Sequence, residues 1–149
     1  MSSGAVQPDP ALHNTVHATC VAFPKRGLLI IGPSGSGKST LGLALMALGA
    51  KLVADDRTLI ANKAGILVAK CPPTIRGLIE ARGLGLIRVH AQASTNIALV
   101  VDLGQTESDR LPPQRFTTLC DVSCDLVLGQ QTPHFPSLLL AYIKGGRLA

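Results

Sequence analysis

Gly32-Pro33-Ser34-Gly35-Ser36-Gly37-Lys38-Ser39 satisfies every position of the pattern Gly-x-x-x-x-Gly-Lys-Ser/Thr. Glycines at 32, 35 and 37 let the backbone turn tightly and bring its N–H groups onto phosphate oxygens without a Cβ in the way. Lys38 supplies a cation for the β- and γ-phosphates and Ser39 a hydroxyl for Mg²⁺. A helix opening at this point adds the positive end of its dipole. The mechanism needs a strand before the loop and a helix after it. Both are legible, since Leu28-Leu29-Ile30-Ile31 precedes the motif and the Leu- and Ala-rich run from Ser39 to Leu48 follows it, with Gly49 as a C-terminal cap. The motif is therefore read as a P-loop for a nucleoside triphosphate and magnesium, with Gly32 to Ser39 and the adjoining Thr40 as its contact residues.

Outward from this unit the chain alternates between strand and turn signals. Val16 to Phe23 reads as a strand joined to Leu28–Ile31 through the turn Pro24-Lys25-Arg26-Gly27. Lys51 to Ala54, Thr58 to Ala61, Gly65 to Ala69, Ile97 to Leu103 and Leu126 to Leu128 are further strand candidates. The polar, proline-containing stretch Thr106 to Arg115 reads as a loop and Ser137 to Ile143 as a terminal helix. This pattern predicts an α/β domain with a central mixed sheet flanked by helices. Residues 1–12 read as a disordered leader and residues 13–149 as one domain, a length that suits a single core.

Composition narrows the partners. Apolar residues make up 46% of the chain and charged residues 15%, which belongs with globular proteins. Aromatic residues are only 3%, so base-stacking platforms are not expected. The net charge is +5, and Lys51 to Arg88 holds seven basic residues against Asp55, Asp56 and Glu80. That bias suits an anionic ligand or an acidic partner as well as it suits a solvated basic face. The basic residues are scattered singly without a recognition motif, so nucleic acid is not expected. Cys20, Cys71, Cys120 and Cys124 form no CxxC pair and read as buried thiols in a reducing compartment, with Cys120 and Cys124 spaced to share a helix face. The N-terminus carries no signal-peptide pattern, and no run approaches the roughly 18 apolar residues of a membrane span, so a cytoplasmic protein without membrane contact is expected.

Three further features lie near the P-loop in sequence. Asp55 and Asp56 follow a strand, 17 and 18 positions beyond Lys38, which brings two carboxylates to the edge of the sheet beside the phosphates. One can hold metal through water and the other can take a proton from a hydroxyl nucleophile; an aspartate after a strand also serves as a cap or turn residue. Glu80, in Ile79-Glu-Ala-Arg-Gly-Leu-Gly-Leu-Ile-Arg-Val89, can complete a magnesium site with Ser39, or pair with Arg82 at the surface. His17 by itself reads as a packed or hydrogen-bonded histidine.

Taken together, His17, the P-loop, Val53-Ala-Asp-Asp56 and the Glu80-Ala-Arg-Gly-Leu-Gly85 segment resemble, in order and near-spacing, the catalytic domain of the HPr kinase/phosphorylase family, over roughly Thr15 to Asp102. The resemblance implies a P-loop fold similar to that of phosphoenolpyruvate carboxykinase. It also implies ATP and Mg²⁺ as cofactors, and transfer of the γ-phosphoryl to a serine of HPr, the phosphocarrier of the sugar phosphotransferase system, with phosphorolysis as the reverse reaction. On that basis Lys38 neutralises the transferring phosphoryl, Ser39 and Glu80 ligate Mg²⁺, Asp56 accepts the proton, His17 orients it, and Asp55 and Arg82 support the site. A hexameric homo-oligomer is implied too. The usual glycine after the family histidine is Ala18 here. The family's later arginine has no counterpart among Leu126 to Lys144, leaving Arg110 and Arg115 as the candidates to substitute for it. Two other readings stay open: a nucleotide-dependent regulatory module without phosphotransfer, and a P-loop kinase of a small metabolite.

Overall fold

A computed structural model describes residues 14–148; the leader expected over residues 1–12 lies outside them. Eleven strands and two helices account for most of the described chain. The strands are β1 (Asn14–Val16), β2 (Ala18–Phe23), β3 (Arg26–Ile31), β4 (Lys51–Ala54), β5 (Thr58–Lys63), β6 (Ile66–Lys70), β7 (Leu78–Ala81), β8 (Gly85–Arg88), β9 (Ser94–Thr106), β10 (Arg115–Leu119) and β11 (Val122–Gly129). The helices are α1 (Lys38–Ala47) and α2 (Phe135–Gly145).

Nine strands form one mixed sheet in the order β1-β5-β6-β9-β3-β2-β4, with β11 joined to β9 and β10 to β11. The 13-residue β9 is its spine. β3 runs parallel to it from Asn96 to Asp102, β6 pairs antiparallel with its first residues, and β11 pairs parallel with it from Val100 onward. β2 is antiparallel to both β3 and β4, so β3, β4, β9 and β11 all end on the same edge of the sheet. The loops that leave this edge carry the P-loop and the aspartate pair.

The central strands read as unbroken apolar runs because both faces are covered. Alternation by two sends Val21, Leu28, Ile30, Leu52, Leu99 and Val101 to one cluster, with Leu41 and Leu45 of α1 and Phe135, Leu139 and Ile143 of α2. The intervening Cys20, Ala22, Leu29, Val53 and Val100 join a second cluster with Ile60, Leu67, Ala69 and Cys124. Both helices contribute to the first cluster, while the buried members of the second come from strands alone, with the outer strands supplying the cover that helices supply on the other side. α1 approaches β2 closely through Gly42, where a Cβ would come within 3.1 Å of the Thr19 methyl.

The expected turn at Pro24 tightens to Pro24-Lys25, and the expected first strand is interrupted at His17, which separates β1 from β2. Three strands, β7, β8 and β10, are additional to those read from the sequence, and β11 extends the strand read at Leu126–Leu128. β10 and β11 form a hairpin whose two-residue turn is Cys120-Asp121, both with positive φ. Cys120 therefore shares no helix face with Cys124, which points inward from β11. β7 and β8 form a separate two-stranded sheet, anchored by the fully buried Ile79 in the first cluster. All four cysteines are free, and burial pushes the Cys20 thiol far above its usual range.

Candidate active site at the edge of the sheet

β3 delivers the chain into the P-loop at Gly32, and the loop closes with the Ser36 N–H donating to the Pro33 carbonyl at 3.1 Å. Gly35 and Gly37 adopt φ of 81° and 97°, values that side chains resist, and Gly37 caps α1. The Ser36 hydroxyl packs over Gly32, where a Cβ would meet it at 2.7 Å; this buried Oγ has no hydrogen-bond partner among the described residues. Lys38, only 7% exposed, donates through its ammonium to the carbonyls of Gly32 and Pro33 at 2.9 and 3.1 Å. It is thus held against the loop it serves.

β4 ends in the two aspartates, and the backbone gives them different surroundings. Asp55 is buried and its carboxylate is fully engaged. Oδ1 accepts hydrogen bonds from the Ser39 hydroxyl at 2.6 Å and the Thr19 hydroxyl at 2.8 Å, and Oδ2 accepts one from the Glu80 N–H at 3.0 Å. One carboxylate therefore ties together β2, the first turn of α1, the end of β4 and the β7–β8 hairpin. Asp56 sits at φ 66°, a left-handed conformation that aspartate tolerates better than most residues, and its side chain is 63% exposed. Its Oδ1 lies 2.5 Å from His17 Nε2. The break between β1 and β2 is what brings the histidine here, with Ala18 N–H bonded to the Asp56 carbonyl at 3.1 Å. Oδ2 of Asp56 has no hydrogen bond among those the described residues form.

The hairpin completes the site. In Ile79-Glu80-Ala81 the strand alternation turns Ile79 and Ala81 inward and leaves Glu80 exposed. A cleft results, lined by Ser34, Gly35, Gly37, Lys38, Ser39, Thr40, Asp56, Glu80 and Arg82. Almost every residue singled out in the sequence either lines this cleft or, like Asp55 and His17, hydrogen-bonds to one that does. A second cleft, shared through Ser34, Asp56 and Glu80, continues past His17 and Arg57 to Ile75, Leu78 and Leu86. A third is shared through Gly35, Gly37, Thr40 and Arg82 and runs along α1 toward Leu103 and the loop before α2.

Sequence reasoning missed Thr19 and Arg57. A threonine inside an apolar strand carries no signal of the partner it will find across the sheet, and Arg57 was one of several scattered cations. Of the two candidates for a later arginine, Arg115 is committed elsewhere. It grips Glu107 through Nε and Nη2 at 3.2 and 3.1 Å, and that pairing holds the Glu107 carboxyl below the usual range. Arg110 lines a separate polar cleft with Glu107 and Gln130. Among the described residues no group of three or more His, Cys, Asp or Glu is disposed to hold a metal by itself, and no helix is long and apolar enough to cross a membrane.

Comparison with known proteins identifies the family. The family model described as HPr Serine kinase C-terminal domain matches residues 10–125. The HPr kinase/phosphorylase of Bordetella pertussis is 36% identical over 115 residues, covering 69% of this chain and 37% of that protein. Its namesake in Clostridium acetobutylicum is 38% identical over 102 residues, covering 64% of this chain and 34% of that protein. The chain thus spans a little over a third of the length of these relatives. The solved structure of the Hpr(Ser) kinase/phosphatase from Coxiella burnetii shares the fold, with a TM-score of 0.74 at 24% identity over 88% of this chain and 94% of that one. With a family model covering most of its length and relatives at this identity, the chain belongs to the HPr serine kinase C-terminal domain family.

Proposed function

We propose that the chain is a magnesium-dependent serine protein kinase that transfers the γ-phosphoryl of ATP to a seryl hydroxyl of HPr in the cytoplasm, with phosphorolysis of the seryl-phosphorylated product as the reverse reaction. The observation that carries this reading is the meeting, in one cleft, of a complete P-loop and an exposed carboxylate, Asp56, whose other oxygen is already bonded to His17. Family membership and the names of the relatives support HPr as the acceptor.

In this reading the loop N–H groups and the N-terminus of α1 hold the phosphate chain, and Lys38 offsets the charge on the phosphoryl in flight. His17 occupies Oδ1 of Asp56 and fixes the carboxylate, leaving Oδ2 to take the proton from the seryl hydroxyl. As that proton leaves, the seryl oxygen bonds to the γ-phosphorus and the bond to the β-bridging oxygen breaks, releasing ADP. In the reverse direction protonated Asp56 returns its proton to the seryl oxygen while inorganic phosphate attacks the phosphoserine.

Magnesium fits the donors present. Mg²⁺ prefers oxygen ligands and is bound through one or two carboxylates plus the substrate's phosphates, so it needs no all-protein cage. The Ser39 hydroxyl, already set by Asp55, and the Glu80 carboxylate at the same cleft would hold it. When bound it supplies positive charge against the β- and γ-oxygens.

Incubation of the full chain with genuine HPr, Mg²⁺ and γ-labelled ATP is expected to place label on a serine. Addition of inorganic phosphate is expected to strip it off as pyrophosphate. Absence of any transfer to HPr would sink the reading.

A further inference from the structure

The main sheet ends on three strands, β1, β4 and β10, and each edge is finished differently. β1 is only three residues long. β4 is covered on its outer side by the segment that follows β8, through the parallel bridge of Leu52 with Ala91, the Leu52 N–H to the His90 carbonyl and the Gln92 N–H to the Leu52 carbonyl. β10 has no such cover. It pairs with β11 alone, in unbroken register, and holds neither lysine nor proline, so it lacks the features by which natural edge strands avoid pairing with another chain. Its one charge, Arg115, is neutralised by Glu107. The two-residue turn closes on the pair Leu119 with Val122, so alternation commits the N–H and C=O groups of Leu119, Thr117 and Arg115 to β11 and turns those of Phe116 and Thr118 outward. Among the described residues neither Phe116 nor Thr118 makes another backbone hydrogen bond.

The surface beside this edge is apolar. Phe116, 58% exposed, lies opposite Asp125, whose carboxylate accepts the Tyr142 hydroxyl of α2 at 3.1 Å. Leu138, half exposed, stands one turn before Tyr142 on the same side of α2. Just past α2 the Arg147 guanidinium donates to the carbonyls of Pro112 and Pro113, which brings the exposed Leu148 and Leu111 to the same corner. α2 carries a single charge, Lys144, in its 11 residues, although Leu138 and Ala141 are exposed. A helix apolar on all sides is one that something covers.

We propose that the open edge of β10 and the apolar face beside it receive the same edge and face of a second copy of the chain, so that the two sheets continue into one another across a two-fold axis. The register follows from the outward groups. Phe116 of each copy pairs with Thr118 of the other by exchanging N–H···O=C bonds, and the two Thr117 residues meet on the axis as a pair without hydrogen bonds. Phe116 and its mate then stand diagonally across the junction on the α2 side, within reach of each other. Continued by two residues, the same register sets Pro113 opposite Asp121 of the second copy, so the exposed turn carboxylate faces the corner where Arg147 is held at the Pro113 carbonyl. This charge complementarity, on an edge with no like charges to oppose, is what favours a second copy over an unrelated strand. A two-fold contact also closes on itself, and the blunted β1 and β4 offer no further edge from which a filament could grow.

Sedimentation equilibrium of the full chain is expected to return twice the chain mass, or an even multiple of it. Thr118→Pro removes only an outward N–H, a loss that an edge strand tolerates, and Phe116→Lys places like charges diagonally across the axis. Both variants are expected to halve the wild-type mass and to weaken association at least roughly tenfold, with circular dichroism and thermal melting identifying those that are folded. Thr117→Cys supplies a positive signal, because the residues of a pair without hydrogen bonds lie about 4.5 Å apart at Cα, within the range a disulfide spans. Mild oxidation is expected to give a reducible dimer whose peptide map joins position 117 to itself. A monomeric wild type, an assembly whose mass neither folded variant lowers, or a Thr117→Cys chain that fails to form this link overturns the interface. The kinase reading stands apart from this result, since the β10 edge supplies no residue to the phosphate cleft.

Discussion

Asp55 accepts three hydrogen bonds and is 7% exposed, whereas the side chain of Asp56, the next residue, is 63% exposed with one oxygen engaged. The difference divides two functions that the Asp-Asp dipeptide alone leaves undivided. The carboxylate with both oxygens occupied by Thr19, Ser39 and the Glu80 N–H braces the site, and the one facing the cleft is, in the proposed reading, the proton acceptor. Substitution separates them. Asp56→Ala removes a group that acts mainly in the transition state, so transfer to HPr is expected to fall by about 10²- to 10⁴-fold while Mg·ATP affinity stays near the wild-type value. Asp55→Ala deprives the Thr19 hydroxyl and the Glu80 N–H of their acceptor in a buried setting, at roughly 1–3 kcal/mol each. A loss of about 3 kcal/mol in urea unfolding is expected, with nucleotide binding weakened as well. Full transfer activity in Asp56→Ala would show that the proton goes elsewhere, and an unchanged urea midpoint in Asp55→Ala would remove the brace.

The β7–β8 hairpin shows how an element outside the main sheet is held to the site. Its four paired positions run from Leu78 with Arg88 to Ala81 with Gly85, and Ile79 is its fully buried anchor in the helical cluster. The bond from the Glu80 N–H to Asp55 ties it to the site, that from the Val89 N–H to the Gly77 carbonyl closes its open end, and just beyond β8 the Leu52 N–H of β4 bonds to the His90 carbonyl. Ile79→Ala is therefore expected to cost about 3 kcal/mol and to speed amide exchange in residues 78–88 more than in β3 or β9. Uniform loss of protection across the sheet would instead make the hairpin part of the global core. The hairpin was also the element least legible in the sequence. β3, the P-loop, α1 and β4 could be read because period, glycine spacing and length agree there, and the structure returns Lys51–Ala54 with the bounds expected. In Ile79 to Val89, three residues of inward-outward alternation are too few to declare a strand, and Gly83 and Gly85 read as punctuation. β10 was hidden by the same brevity, and by a turn, Cys120-Asp121, that contains no glycine although both residues take positive φ. The composition of the site was legible because Lys38, Ser39, Asp56 and Glu80 carry rare chemistry at fixed spacings. Its order was not, because which side of the phosphates each cleft lies on depends on the tertiary placement of Leu103, Gln130 and the loop before α2.

At the scale of the whole molecule, charge and site geometry coincide. The chain carries a net charge of +5, and its basic residues include Arg57, which lines the cleft beyond Asp56, and Arg82 at the phosphates. In the proposed reading the positive charge of Arg57, in the cleft by which the acceptor would enter, would raise the encounter rate with an acidic partner, an effect screened by salt with a Debye length of about 10 Å at 0.1 M. The proposed transfer step involves groups in contact, which salt screens much less. The two parameters should therefore separate. Between about 50 and about 300 mM salt, KM for HPr is expected to rise on the order of tenfold while kcat changes little. Arg57→Glu is expected to reproduce the high-salt KM at low salt and to leave Mg·ATP affinity near wild type, because Arg57 lines the acceptor-side cleft and not the phosphate cleft. A KM for HPr that is flat with salt and indifferent to Arg57→Glu would assign the positive charge of this face to solvation, and docking would then rest on apolar groups at the same cleft, of which Leu86, 68% exposed, is the most prominent.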